Sequence, residues 1–268
     1  MKELIAQVSK DFKIARGEAE LIVASLLDQP RFEIYLNGKI DRNLMKILKL
    51  KLIQLRKGVP IEYITKKVQF LNYLLRIYPG VFIPRLETEY FIELITKIVK
   101  TRPHKILEIG TGSGALSIAL AHIFPQSMVI ATDICRNAIN CAQENIQNCD
   151  LMNQIQLLRT DMFEGISTKF DLIVSNPPYI PHSRLKQLPS SVKNYEPMVA
   201  IDGGKDGVQF IGRLITYGVD FLNADGMIAI EIDEEEVIIL RKLLERCKVK
   251  SYFFKKDLFG RFRYLFIE

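Results

Sequence analysis

Lys105-Ile106-Leu107-Glu108-Ile109-Gly110-Thr111-Gly112-Ser113-Gly114-Ala115 is the stretch on which the reading of this chain turns. The run from Ile106 to Ile109 is apolar but for Glu108 and of strand length, glycines at alternate positions follow it at once, and the largely apolar run from Ala115 to Phe124 then reads as a helix. A strand that turns through glycines into a helix opens a βαβ unit whose bare backbone a ligand can approach closely. Read as G-x-G-x-x-G/A, with Ala115 in the last place, the loop fits a dinucleotide site. The next strand-like run, Val129 to Asp133, ends on an acid 23 residues after Gly110. That is the interval at which a carboxylate accepts hydrogen bonds from ribose hydroxyls. A dinucleotide and a simpler nucleoside would both use it.

Other acids at strand ends separate the two ligands. Glu108 stands immediately before the loop, awkward beside a pyrophosphate and favourable beside a cation. Asp161 follows a third strand-like run, Ile155 to Arg159, and precedes Met162-Phe163, an acceptor for an exocyclic amine beside an apolar platform for a purine. Three carboxylates suit a positively charged nucleoside. S-adenosyl-L-methionine, with its sulfonium and ammonium groups, fits better than NAD.

Farther along, Asp171-Leu172-Ile173-Val174-Ser175 is a buried-type strand that stops at Asn176-Pro177-Pro178-Tyr179. No sheet strand continues through this corner, because proline cannot donate to the ladder. Asn176 precedes a proline and is driven toward extended backbone, while Pro177 has a fixed φ and a free carbonyl. Two acceptors are thereby preset, the Asn176 side-chain oxygen and the Pro177 carbonyl. They suit the two hydrogens of a planar NH₂, whose nitrogen lone pair is exposed as the hydrogens are held. Tyr179 is expected to stack on the flat face of that group.

The rest of the chain supports an α/β protein with a helical extension. Apolar stripes at Leu4, Ile5, Val8 and Phe12, at Leu21, Ile22, Leu26 and Leu27, and at Leu44, Ile47, Leu48, Leu52, Ile53 and Leu55 predict three helices before about residue 64. Asp41 is placed to cap the third, and Gly58 with Pro60 to stop it. Val68-Gln69-Phe70 and Leu74 to Ile77, joined at Asn72, predict a hairpin. After Pro84, strands alternate with helices through Met227–Ile232 and end in two aromatic-rich runs, Ser251–Lys255 and Arg263–Ile267. Such alternation predicts a mostly parallel sheet covered on both faces, with its ligand edge at the strands' carboxyl ends. The expected division is residues 1–66 helical, 67–84 a linking hairpin, and 85–268 the ligand-binding domain.

Composition narrows the function classes. The chain has 268 residues, 48% apolar and 25% charged, which excludes disordered and collagen-like chains. The longest apolar stretch, Ala115 to Phe124, is short of the roughly 20 residues that cross a bilayer, so no membrane span is expected. Residues 1 to 7 lack the apolar core of a secretory signal, which predicts a cytoplasmic protein. The four cysteines have no C-x-x-C spacing and read as reduced thiols, and the three histidines are scattered, so a metal-free catalyst is expected. A net charge of +6 is a weak pointer to an acidic partner.

Taken together, these segments resemble the class I methyltransferases, and within them the HemK family of release-factor glutamine N5-methyltransferases. Gly58-Val59-Pro60-Ile61-Glu62-Tyr63-Ile64, Phe82-Ile83-Pro84-Arg85-Leu86-Glu87-Thr88-Glu89, the stretch Glu108–Gly114, Asn176–Tyr179, Glu196-Pro197, Asp202-Gly203-Gly204 with Gly207, and Asp257–Arg261 carry the likeness over most of the chain. Leu86 stands where the family has proline, Asn72 where it has glycine, and Asp233 in place of the glycine of an E-I-G turn. The resemblance implies a Rossmann-like, mostly parallel seven-stranded sheet. It implies that Glu108, Gly110, Thr111, Gly112, Ser113, Gly114 and Asp133 bind S-adenosyl-L-methionine, with Asp161 and Met162 near its adenine and Asn176 also at the cofactor. It further implies that Asn176, Pro177, Pro178 and Tyr179 hold the glutamine of a release factor's Gly-Gly-Gln tripeptide, while the N-terminal helices hold the rest of that protein. A monomer that does not require nucleic acid is expected. Asn-Pro-Pro-Tyr is shared with adenine and guanine N-methyltransferases, so methylation of an exocyclic base amine is the alternative, and a dinucleotide enzyme is a third reading.

Overall fold

In a computed structural model, which describes residues 1–247 and 249–268, the N-terminal region is a set of helices around one small core. These are α1 (Lys2–Phe12), α2 (Arg16–Leu27), α3 (Ile34–Asn37), α4 (Arg42–Arg56) and α5 (Ile61–Thr65). The three stripes form α1, α2 and α4, whereas α3 and α5 are too short to leave a periodic signal. Ile5, Ile22, Val23, Ile34, Leu48 and Leu52 are buried together. Each contributes roughly 1.5–3 kcal/mol by leaving water. The Asp41 carboxylate caps α4 by accepting the Leu44 N–H at 2.8 Å, a bond worth about 1 kcal/mol.

A hairpin of β1 (Lys67–Phe70) and β2 (Tyr73–Arg76) follows. Its left-handed residue is Leu71 (φ +50°) rather than Asn72. The Leu71 N–H is held at 3.0 Å by the Glu89 carboxylate, which stabilises the tight turn. Phe70, Leu75 and Ile77 are buried in the core of the larger sheet, so the hairpin packs on that sheet.

Beyond α6 (Leu86–Ile98), the chain runs β3 (Lys105–Ile109), α7 (Ala115–Ile123), β4 (Met128–Asp133), α8 (Arg136–Asn148), β5 (Ile155–Arg159) and β6 (Phe170–Ser175). It continues through α9 (His182–Leu185), α10 (Ser190–Tyr195), α11 (Gln209–Gly218), β7 (Leu222–Glu231), α12 (Val237–Leu244), β8 (Tyr252–Lys256) and β9 (Phe262–Ile267). Seven strands form one sheet in the order β5-β4-β3-β6-β7-β9-β8. The pairs from β5 through β7 are parallel, and β9 is antiparallel to both its neighbours. The chain winds outward from β3 to β5, then returns to place β6 on the other side of β3. That reversal is the point at which open α/β sheets bind ligands, beyond the strands' carboxyl ends.

The helical region is tied to this sheet by polar bonds. Tyr63 donates its hydroxyl hydrogen to the Val81 carbonyl at 2.7 Å, and Tyr195 donates to the Lys57 carbonyl at 2.9 Å. The buried Glu196 accepts the Ile83 N–H at 3.2 Å and pairs with Arg85. No helix among the described residues is long and apolar enough to cross a membrane.

Candidate functional site

Strand register assembles the site. Ile109 is level with Thr132 on one side and Ser175 on the other, so Gly110, Asp133 and Asn176 leave the sheet edge side by side. Ser175 donates its hydroxyl hydrogen to the Ile109 carbonyl at 2.7 Å, and the Thr132 carbonyl accepts the N–H groups of Gly110 and Thr111 at 2.9 and 2.8 Å. Above this edge lies a cavity of about 500 Å³, within the range of small-molecule sites. Its walls include Glu108, Gly110, Thr111, Gly112, Ser113, Asp133, Asp161, Met162, Asn176, Pro177 and Pro178. Gly114 and Tyr179, the other two residues singled out from sequence, do not line it.

The glycine loop forms one wall. Gly110 (φ +78°) and Gly112 (φ +57°) are left-handed, with no atom within 4 Å of where a Cβ would project. Gly114 serves packing instead: a Cβ there would lie 3.3 Å from that of Ala142, so its bareness lets α7 approach α8. Glu108 is buried, and burial pushes its carboxyl up to about 7. Its Oε2 accepts from the Thr111 hydroxyl at 2.7 Å, the Ser117 N–H at 3.1 Å and the Ser117 hydroxyl, which leaves Oε1 for the cavity. The buried Ser113 hydroxyl has no hydrogen-bond partner among the described residues. Asp133 accepts the Gly112 N–H on Oδ2 at 2.9 Å and the Cys135 N–H on Oδ1 at 2.8 Å. Each oxygen keeps a lone pair for a ligand, and burial raises the carboxyl above its usual range.

At the far end, Asp161 lines the cavity while pairing with Arg213 at 2.9 Å. Met162 is buried in left-handed backbone (φ +54°), a conformation costing a branched or long side chain about 1–2 kcal/mol. Phe163 differs from expectation: its ring turns into the core and stacks on Phe221 at 4.7 Å, so of the pair only Met162 lines this cavity.

Asn176 and the two prolines make the opposite wall. The Pro177 carbonyl accepts no hydrogen bond among the described residues. The Asn176 side chain donates from Nδ2 to the Thr88 hydroxyl at 2.9 Å, so Oδ1 faces away from Thr88. Thr88 in turn donates to Glu231 Oε2 at 2.8 Å, and the Tyr179 hydroxyl donates to Glu231 Oε1 at 3.3 Å. Tyr179 therefore sits behind the cavity wall, with the Arg263 guanidinium 5.9 Å from its ring centre, rather than across the acceptor face. Gly203 explains the turn. A Cβ on it would lie 2.7 Å from the Tyr179 Cα, and the bare backbone lets residues 179–180 pair closely with 201–204. Burial pushes the Tyr179 phenol up, which keeps it a donor, and burial pushes Glu231 up to about 7.

Sequence reasoning missed Thr88, Glu231 and Arg213 as individual residues of the site. Thr88 lay inside a quoted motif, and Glu231 carried a readable signal as an acid within the apolar run Ile228–Ile232. Arg213 left none. Asp233 accepts the Glu235 N–H at 3.1 Å, capping a short turn, and pairs with Arg184 and Arg263 at 3.3 Å each. Its backbone is extended (φ −99°, ψ 149°), so the position does not require a glycine.

Comparisons with known proteins agree with this geometry. Residues 79–191 match the methyltransferase small domain family, a span that holds the loop and the Asn-Pro-Pro-Tyr corner. A release factor glutamine methyltransferase of Rhodopirellula baltica is 34% identical over 93% of this chain and 88% of its own length. The chain belongs to the release factor glutamine methyltransferase family. A Clostridium botulinum family member is 35% identical, covering 92% of this chain and 89% of its own. Among solved structures, the hMettl16 catalytic domain superposes with a TM-score of 0.61 at 15% identity, covering 91% of each chain. A methyltransferase from Pyrococcus furiosus gives 0.57 at 20% identity, covering 85% of this chain and 98% of its own. At those identities the superpositions establish the fold, and the family membership rests on the sequence relatives.

Proposed function

We propose that this chain transfers a methyl group from S-adenosyl-L-methionine to the side-chain amide nitrogen of the glutamine in the Gly-Gly-Gln tripeptide of peptide-chain release factors. One observation carries the reading: the glycine loop and the Asn176-Pro177 corner, from adjacent strand ends, face each other across a single cavity. Family membership supplies the reaction class.

The donor set fits the methyl donor. Glu108 Oε1 suits an ammonium, the orphaned Ser113 hydroxyl a polar amino-acid end, the free lone pairs of Asp133 a ribose, and Met162 with Asp161 a purine. When bound, S-adenosyl-L-methionine supplies an electrophilic methyl group on a sulfonium. Asn176 Oδ1 and the Pro177 carbonyl then hold the two hydrogens of the glutamine amide. Both bonds form in the amide plane, so they turn the face of the nitrogen toward the loop. Orientation of this kind contributes roughly 7–11 kcal/mol at most to a barrier. Once the nitrogen carries the methyl group it becomes acidic, and its surplus proton passes to solvent water, since neither amide oxygen is basic enough to keep it. Pro177 and Pro178 stiffen the corner that performs this.

Residues 1–66 are proposed to recognise the body of the release factor, with 67–84 as the link and 85–268 as the methyltransferase domain, in a cytoplasmic monomer that needs no nucleic acid. Incubation with methyl-labelled S-adenosyl-L-methionine and purified release factor tests the whole assignment. Label is expected on the Gly-Gly-Gln glutamine. Label only on DNA or RNA added in parallel would replace the reading with base methylation.

A further inference from the structure

An asparagine amide is close to symmetric in shape, and its two orientations fill the same space. Only one of them works at this site. With Oδ1 toward the cavity, Asn176 accepts from a substrate N–H; with Nδ2 toward the cavity, it opposes one donor with another. Nothing in the Asn-Pro-Pro corner itself distinguishes these states, since the prolines fix the backbone and not the final side-chain torsion.

The distinction comes from behind. Thr88, at the start of α6, and Glu231, at the end of β7, are each 1% exposed and lie 143 residues apart in the chain. A hydroxyl has one hydrogen, and a carboxylate only accepts. With Glu231 ionised, as it is above about pH 7, the Thr88 hydrogen is committed to Glu231 Oε2 and the Thr88 oxygen is left as an acceptor. Its other neighbour must be a donor, and Asn176 meets it with Nδ2 at 2.9 Å. Tyr179 fills Glu231 Oε1, Arg263 lies close to the same carboxylate with its positive charge, and Glu87, Asp233 and Tyr264 are the other titratable groups facing this cluster.

We infer that Thr88 and Glu231 are positioning residues whose hydrogen-bond polarity locks the Asn176 amide with Oδ1 toward the acceptor, so that the corner accepts a substrate NH₂ and turns away a group that cannot donate. This rests on the functional reading above and adds to it the reason the corner has a direction. Thr88 borders the cavity but is 1% exposed, and Glu231 lies behind it, so both act through Asn176.

Two readouts test the lock, one of them independent of any substrate. In the enzyme alone, the side-chain amide ¹⁵N–¹H signals of Asn176, assigned by their loss in N176A, are expected to be slow to exchange with solvent in the wild type and in Thr88→Ser. They are expected to exchange fast in Thr88→Val and Thr88→Ala. In turnover on release factor, T88V is expected to lower kcat roughly 10- to 100-fold, T88S to restore it, and S-adenosyl-L-methionine affinity to stay unchanged. In an N176A background, T88V should have no further effect on kcat. Should T88V fail to fold, T88A against T88S carries the same comparison. A protected Asn176 amide in a chain that leaves the glutamine unmodified would fault the functional reading and leave the lock standing. Unchanged amide exchange in the folded Thr88→Val or Thr88→Ala variant, or T88V and N176A effects that simply multiply, would overturn the lock.

Discussion

The two walls of the cavity are built by opposite means. The glycine loop presents main chain, with bare backbone at Gly110 and Gly112, and its position follows from the strand and helix it joins. The Asn176 wall presents one side-chain oxygen and one proline carbonyl, and its direction is set by a buried relay through Thr88 to Glu231. A wall of backbone tolerates change in its surroundings. A wall that depends on one amide's orientation does not.

Removing the Asn176 side chain should therefore have the largest effect. N176A is expected to lower kcat by roughly 10²–10³, as for loss of one preorganised polar contact, with the affinity for S-adenosyl-L-methionine little changed by calorimetry. Full turnover in that variant would erase the difference between the walls. Gly203→Ala comes next. Its Cβ would meet the Tyr179 Cα at 2.7 Å and the Gly207 carbonyl oxygen at 2.5 Å, and overpacking of this kind costs about 1–3 kcal/mol. Urea unfolding should register that loss together with a lower kcat, while donor affinity stays put. On the loop side, Asp133→Ala is expected to weaken donor binding by roughly tenfold, about 1.5 kcal/mol for a hydrogen bond to a charged group. Its kcat at saturating donor should hardly move, and a collapse in kcat there would mean the walls do not divide the work.

The last expected effect is one the walls share. Burial holds Glu108 and Glu231 each up to about 7, against 4.5 for the free side chain. The folded chain keeps protons that the unfolded chain has already released, so stability falls as pH rises from about 4.5 through 7, by at most about 1.4 kcal/mol per pH unit for each group. Denaturation midpoints at pH 5 and pH 8 should display the decline. Glu108→Gln and Glu231→Gln should flatten it alike, and a decline flattened by only one would place the electrostatic asymmetry on that wall.

What could be read from the sequence follows the same division. The loop was legible because its glycines, the preceding strand and the acid at the end of the next strand are local patterns. The corner was legible as far as proline fixes backbone. The direction of Tyr179 was not, because Gly203, far along the chain, decides where residues 179–180 can lie. Thr88 and Glu231 meet only through the fold, and no periodicity in either segment announces the pairing. Among the helices, α1, α2 and α4 were visible as apolar stripes, while α9 and α10, which bury no residue, had no stripe to display. In the hairpin, expectation settled on Asn72 for the turn, yet Leu71 takes the strained position because Glu89 reaches back to hold it.

Strand β9 is made after every other strand, yet it lies inside the sheet between β7 and β8. Until β9 pairs, β7 is an open edge, ready to pair with the wrong neighbour. Arg263, which sits by the Tyr179 ring, arrives with that same strand. A chain cut short before β9 would keep the glycine loop and the Thr88–Glu231 pair behind Asn176, yet leave Tyr179 and Glu231 without the Arg263 charge beside them.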